Sequence, residues 1–393
     1  GTRPPLCPLA ARRAGHDVGM IFSILQPPRI LFGRGTAAQA LPLARGFGPR
    51  GLVVHGASPG RIAHLLPTGE SAVLCLAAEG EPTLPGLEVA LAEARAHAPD
   101  WVLAIGGGSA LDMGKALAAL IPAPGDPMDH LEVIGRALPL TVAPLPFVAV
   151  PTTAGTGAEV TKNAVIGLPG HGRKVSLRDE RMIARVAIVD PALTDHCPRA
   201  VTLASGLDAV TQVIEPWLSS KATPYTDAIA RPAIAPGLAA LVRLMQGEDA
   251  GARDALAFTS LSGGLALANG GLGAVHGLAG VIGGLTGAAH GAICGALLGP
   301  VLAMNLRLTE GAARARVGEV CGLIAGVLGG TAEEAPARLA DWAKAQGLPG
   351  LAAQGLRAGD HAAVAEASLQ ASSMKGNPVQ PLAADLIGVL EAA

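Results

Sequence analysis

The sequence predicts an α/β domain on an open parallel sheet, followed by an all-α helical domain. Three observations carry that expectation. Short apolar runs alternate with helical patterns through the first half, the order that parallel βαβ units produce. Strand-like runs stop at Asp190-Pro191, and Ala/Leu helical patterns continue from there to Ala393. The chain has 393 residues, half of them apolar and 15% charged, which is enough to fill two cores. The expected division is an extension over 1–19, a nucleotide-binding domain over 20–190 and a helical domain over 191–393.

Residues 1–19 are Pro- and Arg-bearing with no sustained apolar run. They lack the form of a signal peptide and read as disordered or left over from expression, with Met20 a candidate start. Arg29–Gly33 reads as an edge strand, of the kind used in pairing two subunits. Gly51–His55 and Ser71–Ala77 are strands, and Leu84–Ala98 is a helix with apolar residues three and four apart. Trp101–Ile105 is a strand leading into a helix at Ala110–Leu120. Phe147–Val150 and Val186–Val189 are further strands. Between them, 160–185 carries Pro169-Gly170 and the basic pair Arg173-Lys174, the marks of a hairpin or excursion.

Composition excludes several functions. Lys plus Arg is 29 against 31 for Asp plus Glu, so no nucleic-acid surface is advertised. Nine aromatic residues are too few for a single-strand stacking platform. The five cysteines, at 7, 75, 197, 294 and 321, are scattered and form no CxxC. That argues against a disulfide framework or zinc knuckle and for a reducing, cytoplasmic setting. Ala255–Leu306 contains no Asp, Glu, Lys or Arg, long enough to hide a membrane span. Its many glycines, His276, His290, Asn269 and Asn305, and the lack of aromatic belts favour a buried helical hairpin, with no membrane partner.

Two loops carry candidate chemistry. Trp101–Ile105 runs into Gly106-Gly107-Gly108-Ser109 and then a helix holding Asp112 and Lys115. Glycines admit a pyrophosphate close to the backbone, and a helix N-terminus offers free N–H groups. Leu111 stands where a GxGxxG motif needs its third glycine, and Ala116 follows Gly114-Lys115 where a Walker loop needs Ser or Thr. A second strand end leads into Pro151-Thr152-Thr153-Ala154-Gly155-Thr156-Gly157. Open α/β sheets bind ligands beyond the carboxyl ends of their strands, so two anion-ready loops at two such ends point to a nucleotide. Either loop alone would read as an ordinary turn or cap.

Asp208 and Gln212 are four apart in a helical pattern and share a face. His276 and His290 are fourteen apart, roughly 21 Å on a straight helix. Gly283, Gly284 and Gly287 between them allow the chain to fold back, which would let a carboxylate and two imidazoles share an ion. No local ligand motif such as HExxH is present, and a histidine in an apolar segment is more often a hydrogen-bonded core residue.

The chain resembles the iron-containing (group III) alcohol dehydrogenases, which include lactaldehyde reductase, glycerol dehydrogenase and maleylacetate reductase. Six blocks in family order carry the resemblance over roughly 28–393: RILFGRG (29–35), GGGSALDMGKA (106–116), PTTAGTGAEVTKN (151–163), ASGLDAVTQVIE (204–215), VHGLAGVIGGLTGAAHG (275–291) and NPVQPL (377–382). The resemblance implies a Rossmann-like sheet domain and a helical domain in a dehydroquinate synthase-like architecture, with a dimer or larger homo-oligomer. It implies NAD(P)-dependent, metal-assisted hydride transfer between small alcohols and aldehydes or ketones. Candidate cofactor contacts are Gly107, Gly108, Ser109, Asp112, Thr152, Thr153, Thr156, Asn163 and Lys174. Asp208, His276 and His290 would be catalytic metal ligands for Fe²⁺ or Zn²⁺, with Gln212 as fourth.

Three departures from the family pattern stand out. Gln212 replaces a histidine, and an amide oxygen is a weaker ligand than imidazole. Gly280 stands where many alcohol-oxidising members carry a further histidine. The strand at 51–55 ends in His55-Gly56-Ala57-Ser58 rather than the ribose-binding Asp, so a 2′-phosphate would meet no carboxylate and has Ser58 and Arg61 nearby. The last departure favours NADP over NAD. The first keeps open a metal-free, maleylacetate reductase-like enzyme, and a catalytically silent nucleotide-binding homologue is the third reading.

Overall fold

A computed structural model describes residues 21–393, so the extension expected over 1–19 lies outside the described residues. The first half runs β1 (Ile30–Phe32), α1 (Ala40–Arg45), β2 (Gly51–Gly56), β3 (Val73–Ala78), α2 (Leu84–His97), β4 (Trp101–Gly106), α3 (Gly108–Leu120), α4 (Pro127–His130), β5 (Phe147–Pro151), β6 (Asn163–Leu168), β7 (Arg173–Arg178) and β8 (Val186–Val189). Six strands form one parallel sheet in the order β1-β8-β5-β4-β2-β3. β1 is an edge strand. The excursion between β5 and β8 is the antiparallel hairpin β6–β7.

The strands read as continuous apolar runs because the sheet is covered on both faces. On β4, Val102 and Ala104 face a core shared with Leu87 and Leu91 of α2 and Leu117 of α3. Trp101, Leu103 and Ile105 alternate to the other face and pack with Ala40 and Ala44 of α1. The helix after β4 begins at Gly108, two residues before the expected Ala110, so the glycine turn is itself the helix N-terminus.

Helices fill the rest: α5 (Arg199–Leu218), α6 (Pro224–Gln246), α7 (Ala250–Gly270), α8 (Ala274–Thr286), α9 (His290–Leu308), α10 (Gly311–Leu328), α11 (Ala335–Ala345), α12 (His361–Leu369) and α13 (Ala383–Ala392). By length and composition α6 and α9 could each cross a bilayer, yet both contribute to one helical core, with Leu238 and Leu241 of α6 and Ile293 and Leu297 of α9 fully buried. The uncharged stretch 255–306 is split: α7 and α8 meet at 98°, and α8 gives way to α9 at Gly287. It is folded into the bundle as bent, buried helices.

The two halves are laced together. The segment before β1 lies along the helices, where Leu25 N–H donates to Asn269 Oδ1 (2.7 Å) and Asn269 Nδ2 donates to Leu25 O (2.9 Å). Arg34, just after β1, bridges Asp195 (2.8 Å) and Asp254 of α7 (2.7 Å).

Lys115 is buried on α3, and its ammonium donates to Ala158 O (2.7 Å), Asn163 O (2.8 Å) and Thr161 Oγ1 (3.0 Å). It is a strut between α3 and the segment after β5. Close by, burial pushes the Glu159 carboxyl up to about 7. An unfolded Glu159 titrates near 4.5. Between those values the folded chain keeps a proton that the unfolded chain releases, so this group's contribution to stability falls as pH rises. At about 1.4 kcal/mol per pH unit the loss amounts to roughly 3 kcal/mol. Glu159→Gln is therefore expected to melt above the wild type at pH 8 and to lose this pH dependence. Thermal melts from pH 4 to 8 check it, and equal slopes for the two proteins would contradict it.

Candidate active site

The two loops singled out in the sequence face each other. Gly107 is extended (φ −71°, ψ −177°) and caps α3 without any side-chain hydrogen bond, leaving the first N–H groups of the helix free of a side-chain cap. A Cβ at Gly107 would lie 3.5 Å from Thr153 Oγ1, and one at Gly108 would lie 3.0 Å from Thr156 Oγ1. The threonine loop is held in place by Thr152 N–H, which donates to Gly106 O (2.9 Å), and by Gly157. Gly157 has φ +59°, and a Cβ there would meet Gly264 Cα of α7 at 2.5 Å, so only glycine permits this approach.

The other expected cofactor contacts are spread over α3, β6, β7 and the end of β2. Ser109 is half-buried in the first turn of α3. Asp112 accepts from Val165 N–H through Oδ2 (3.0 Å); burial raises its carboxyl to about 6, against the opposing pull of Lys115 and, more weakly, His290. Asn163 opens β6 and Lys174 lies on β7. Lys174 pairs with Glu81, and its Nζ stands 3.3 Å from where a Gly283 Cβ on α8 would be. Ser58 is exposed beyond the end of β2, beside the glycine turn. Arg61 is committed to the carbonyls of Leu193 (3.1 Å) and Asp195.

The predicted fold-back brings the histidines together. Gly287 adopts φ +70° and ends α8, so His290 opens α9 while His276 sits in the first turn of α8. Their ring centroids are 5.3 Å apart. Asp208 Oδ1 lies 3.3 Å from His276 Nε2 and 3.9 Å from His290 Nε2. Glycines on α9 bring it close to α5: a Cβ at Gly291 would stand 2.5 Å from Ala204 O, and one at Gly295 2.7 Å from Leu207 Cδ1. Asp208 and Gln212 are both buried, and Asp208 Oδ1 and Gln212 Oε1 have no hydrogen-bond partner. Gln212 Nε2 donates to Gly155 O of the threonine loop (2.8 Å).

Two site residues were not foreseen. Cys294, fully buried one turn after His290, puts Sγ 3.6 Å from His290 Nε2 and 3.9 Å from His276 Nε2. The H-x-x-x-C spacing on one helix was its available signal. Glu215, two turns beyond Asp208 on α5, accepts from Val275 N–H through Oε1 (2.7 Å) and holds His276 Nδ1 at 2.6 Å through Oε2. It caps α8 and turns His276 Nε2 toward Asp208. Asn377, from the NPVQPL block, caps the same end through Ala274 N–H (3.1 Å).

The cluster sets carboxylates against imidazoles. The largest influence on His276 is burial, which lowers its pKa, but Cys294, Glu215 and Asp208 outweigh it and hold the imidazole well above its ordinary value. The charge of Cys294 raises His290 to about 9 against its own burial. Burial raises Asp208, yet the two imidazoles bring it below the ordinary carboxylate value. Buried acceptors without partners, converging with imidazoles from three helices, fit a divalent cation.

The glycine turn and threonine loop at the strand ends and the Asp/His/His/Cys cluster on the helices stand side by side, joined by Gln212 Nε2 on Gly155 O. Residues 27–191 match the model "Iron-containing alcohol dehydrogenase", and 202–393 match "Fe-containing alcohol dehydrogenase family, C-terminal". The chain is 33% identical over 293 residues to the "Probable alcohol dehydrogenase EutG" of Escherichia coli K12, covering 72% of this chain and 73% of that protein. It is 33% identical over 299 residues to the "NAD-dependent methanol dehydrogenase" of Bacillus methanolicus, covering 75% and 77%. Among solved structures, a 1,3-propanediol oxidoreductase superposes with a TM-score of 0.84 at 27% identity, covering 95% of this chain and 99% of that one. The chain belongs to the iron-containing alcohol dehydrogenase family, whose members use NAD(P) and a divalent metal.

Glu215→Gln keeps the length of the side chain but removes the charge that orients His276. Divalent-metal affinity, measured by competition with a chromogenic chelator, is expected to fall ~10- to 100-fold. Unchanged affinity would show that Glu215 only caps the helix.

Proposed function

We propose that this chain interconverts small alcohols with aldehydes or ketones, using NADP(H) and a divalent ion, Fe²⁺ or Zn²⁺, held by Asp208, His276 and His290. The observation that carries the metal assignment is the unpartnered, buried Asp208 Oδ1 between two imidazole nitrogens. The ion supplies Lewis acidity toward the substrate oxygen, and the nicotinamide supplies the hydride. The protein's own work is positioning. Gly107, Gly108 and Ser109 at the start of α3, with Thr152, Thr153 and Thr156 opposite, cradle the pyrophosphate. Asp112, Asn163 and Lys174 line the path toward the helices. Gln212 Oε1 would accept a hydrogen bond from a water molecule in the cleft.

Gly280 is exposed one turn past His276 with open space where a side chain would start. With no imidazole at that position, water rather than a side chain would carry the hydroxyl proton to solvent. The preference for NADP(H) rests on the sequence His55-Gly56-Ala57-Ser58 at the end of β2, which would offer the adenosine ribose a hydroxyl and no carboxylate. Arg61 offers its charge nearby while anchored to backbone carbonyls.

Anaerobic metal removal followed by assay of an aldehyde panel tests the ion. Activity is expected to vanish with chelation and return with one equivalent of Fe²⁺ or Zn²⁺. Full turnover of the metal-free protein would favour the maleylacetate reductase-like alternative, and cofactor binding without turnover the silent homologue. kcat/KM is expected to be higher with NADPH than with NADH, and a reversed ratio removes the Ser58 argument. Gly107→Ala fits the backbone without strain but fills the cradle. Its melting temperature should stay near wild type while the Kd for the dinucleotide rises roughly tenfold or more, about 1.4 kcal/mol. An unchanged Kd places the pyrophosphate elsewhere.

A further inference from the structure

We infer that Cys294 is the fourth protein ligand of the ion, making the centre an Asp/His/His/Cys site that selects Zn²⁺ over Fe²⁺. The inference rests on the metal reading above and goes beyond it by naming a donor and a preference. Asp208, His276, His290 and Cys294 each offer one donor atom, and these four atoms lie within 4.8 Å of one another. Bonds of about 2.0–2.3 Å to a tetrahedral centre put N, O and S donors about 3.3–3.6 Å apart. The measured edges are 3.3 and 3.9 Å from Asp208 Oδ1 to the two imidazole nitrogens, and 3.9 and 3.6 Å from Cys294 Sγ to the same nitrogens. These four edges lie within about 0.3 Å of the tetrahedral range, and the two remaining ones are under 4.8 Å.

The sulfur is not alone in pointing to a cation. Asp208 Oδ1 faces the same space, buried and without a hydrogen-bond partner. The rival fourth donor, Gln212, has its amide nitrogen fixed on Gly155 O and offers only a neutral oxygen. A thiolate is the stronger and softer ligand, and softness favours Zn²⁺ over Fe²⁺. Ligation replaces the S–H bond with an S–metal bond and releases the proton to water. The side chain of His290 is about a third exposed, so an ion held there would be reachable from solvent.

The test uses the full chain loaded with Co²⁺, then Zn²⁺ and Fe²⁺ in competition. The wild type is expected to show a sulfur-to-cobalt charge-transfer band in the near ultraviolet at one equivalent of Co²⁺. Cys294→Ser and Cys294→Ala should both lose that band. Their Zn²⁺ affinity should fall on the order of tenfold or more, with a smaller loss for Fe²⁺. Stoichiometric Co²⁺ binding without the band overturns the cysteine assignment and leaves the metal reading standing. Failure to bind any of the three ions overturns both. X-ray absorption at the zinc edge gives an answer independent of the variants: a sulfur in the first shell supports the assignment, and a shell of nitrogen and oxygen alone overturns it.

Discussion

One buried carboxylate oxygen sets the terms for this molecule. Asp208 Oδ1 sits inside the helical half without a hydrogen bond, with imidazole nitrogens 3.3 and 3.9 Å away. Leaving such an atom uncompensated costs more than most single interactions in a fold contribute. The surroundings are arranged to supply positive charge instead. Two imidazoles approach from the first turns of α8 and α9, and that requires α8 to stop at Gly287 and α9 to press on α5 through Gly291 and Gly295. The long uncharged, glycine-rich stretch thus has a packing cause. Side chains there would hold the helices apart, and the histidines would lose the carboxylate.

The same closeness joins the two halves. Gly157 rests on Gly264 of α7, and Gln212 of α5 holds the carbonyl of Gly155. The threonine loop is therefore braced by the helices that carry the metal-type cluster. Its threonines in turn face the glycine turn at the end of β4. The glycine turn, the threonine loop and the Asp208 cluster are thus joined by direct contacts through α5 and α7. Lys174 on β7, against Gly283 of α8, closes the far side of the cleft in the same way.

Much of this was legible in the sequence, and the limits have physical causes. The βαβ order, the glycine turn and the bend between His276 and His290 follow from local rules: apolar period, strand-to-helix glycines, and a helix terminator between two ligands. Asp208 and Gln212 followed from a spacing of four. Cys294 escaped because it was weighed only against other cysteines, while its partner was a histidine on the same helix face. Glu215 escaped because its partners lie on another helix sixty residues away, and no periodicity links them. Lys115 shows the converse. It follows a glycine in a loop that resembles a phosphate binder, yet three carbonyl and hydroxyl partners bury it as a strut.

Charge balance explains why the cluster can exist before it holds an ion. With Asp208, Glu215 and Cys294 around them, His276 and His290 stay protonated to higher pH than ordinary imidazoles, His290 to about 9. A group whose folded pKa is raised from 6.5 stabilises the fold fully below 6.5 and loses that contribution as pH passes 9. Protons and a divalent cation compete for the same nitrogens, because an imidazole must be neutral to ligate. A cation that enters replaces two diffuse charges with one centred among all the donors, and it restores the lone pairs that protons remove. Cys294 and the carboxylates of Asp208 and Glu215 thus carry the imidazoles' raised pKa values, and all three act through the closeness of α5, α8 and α9.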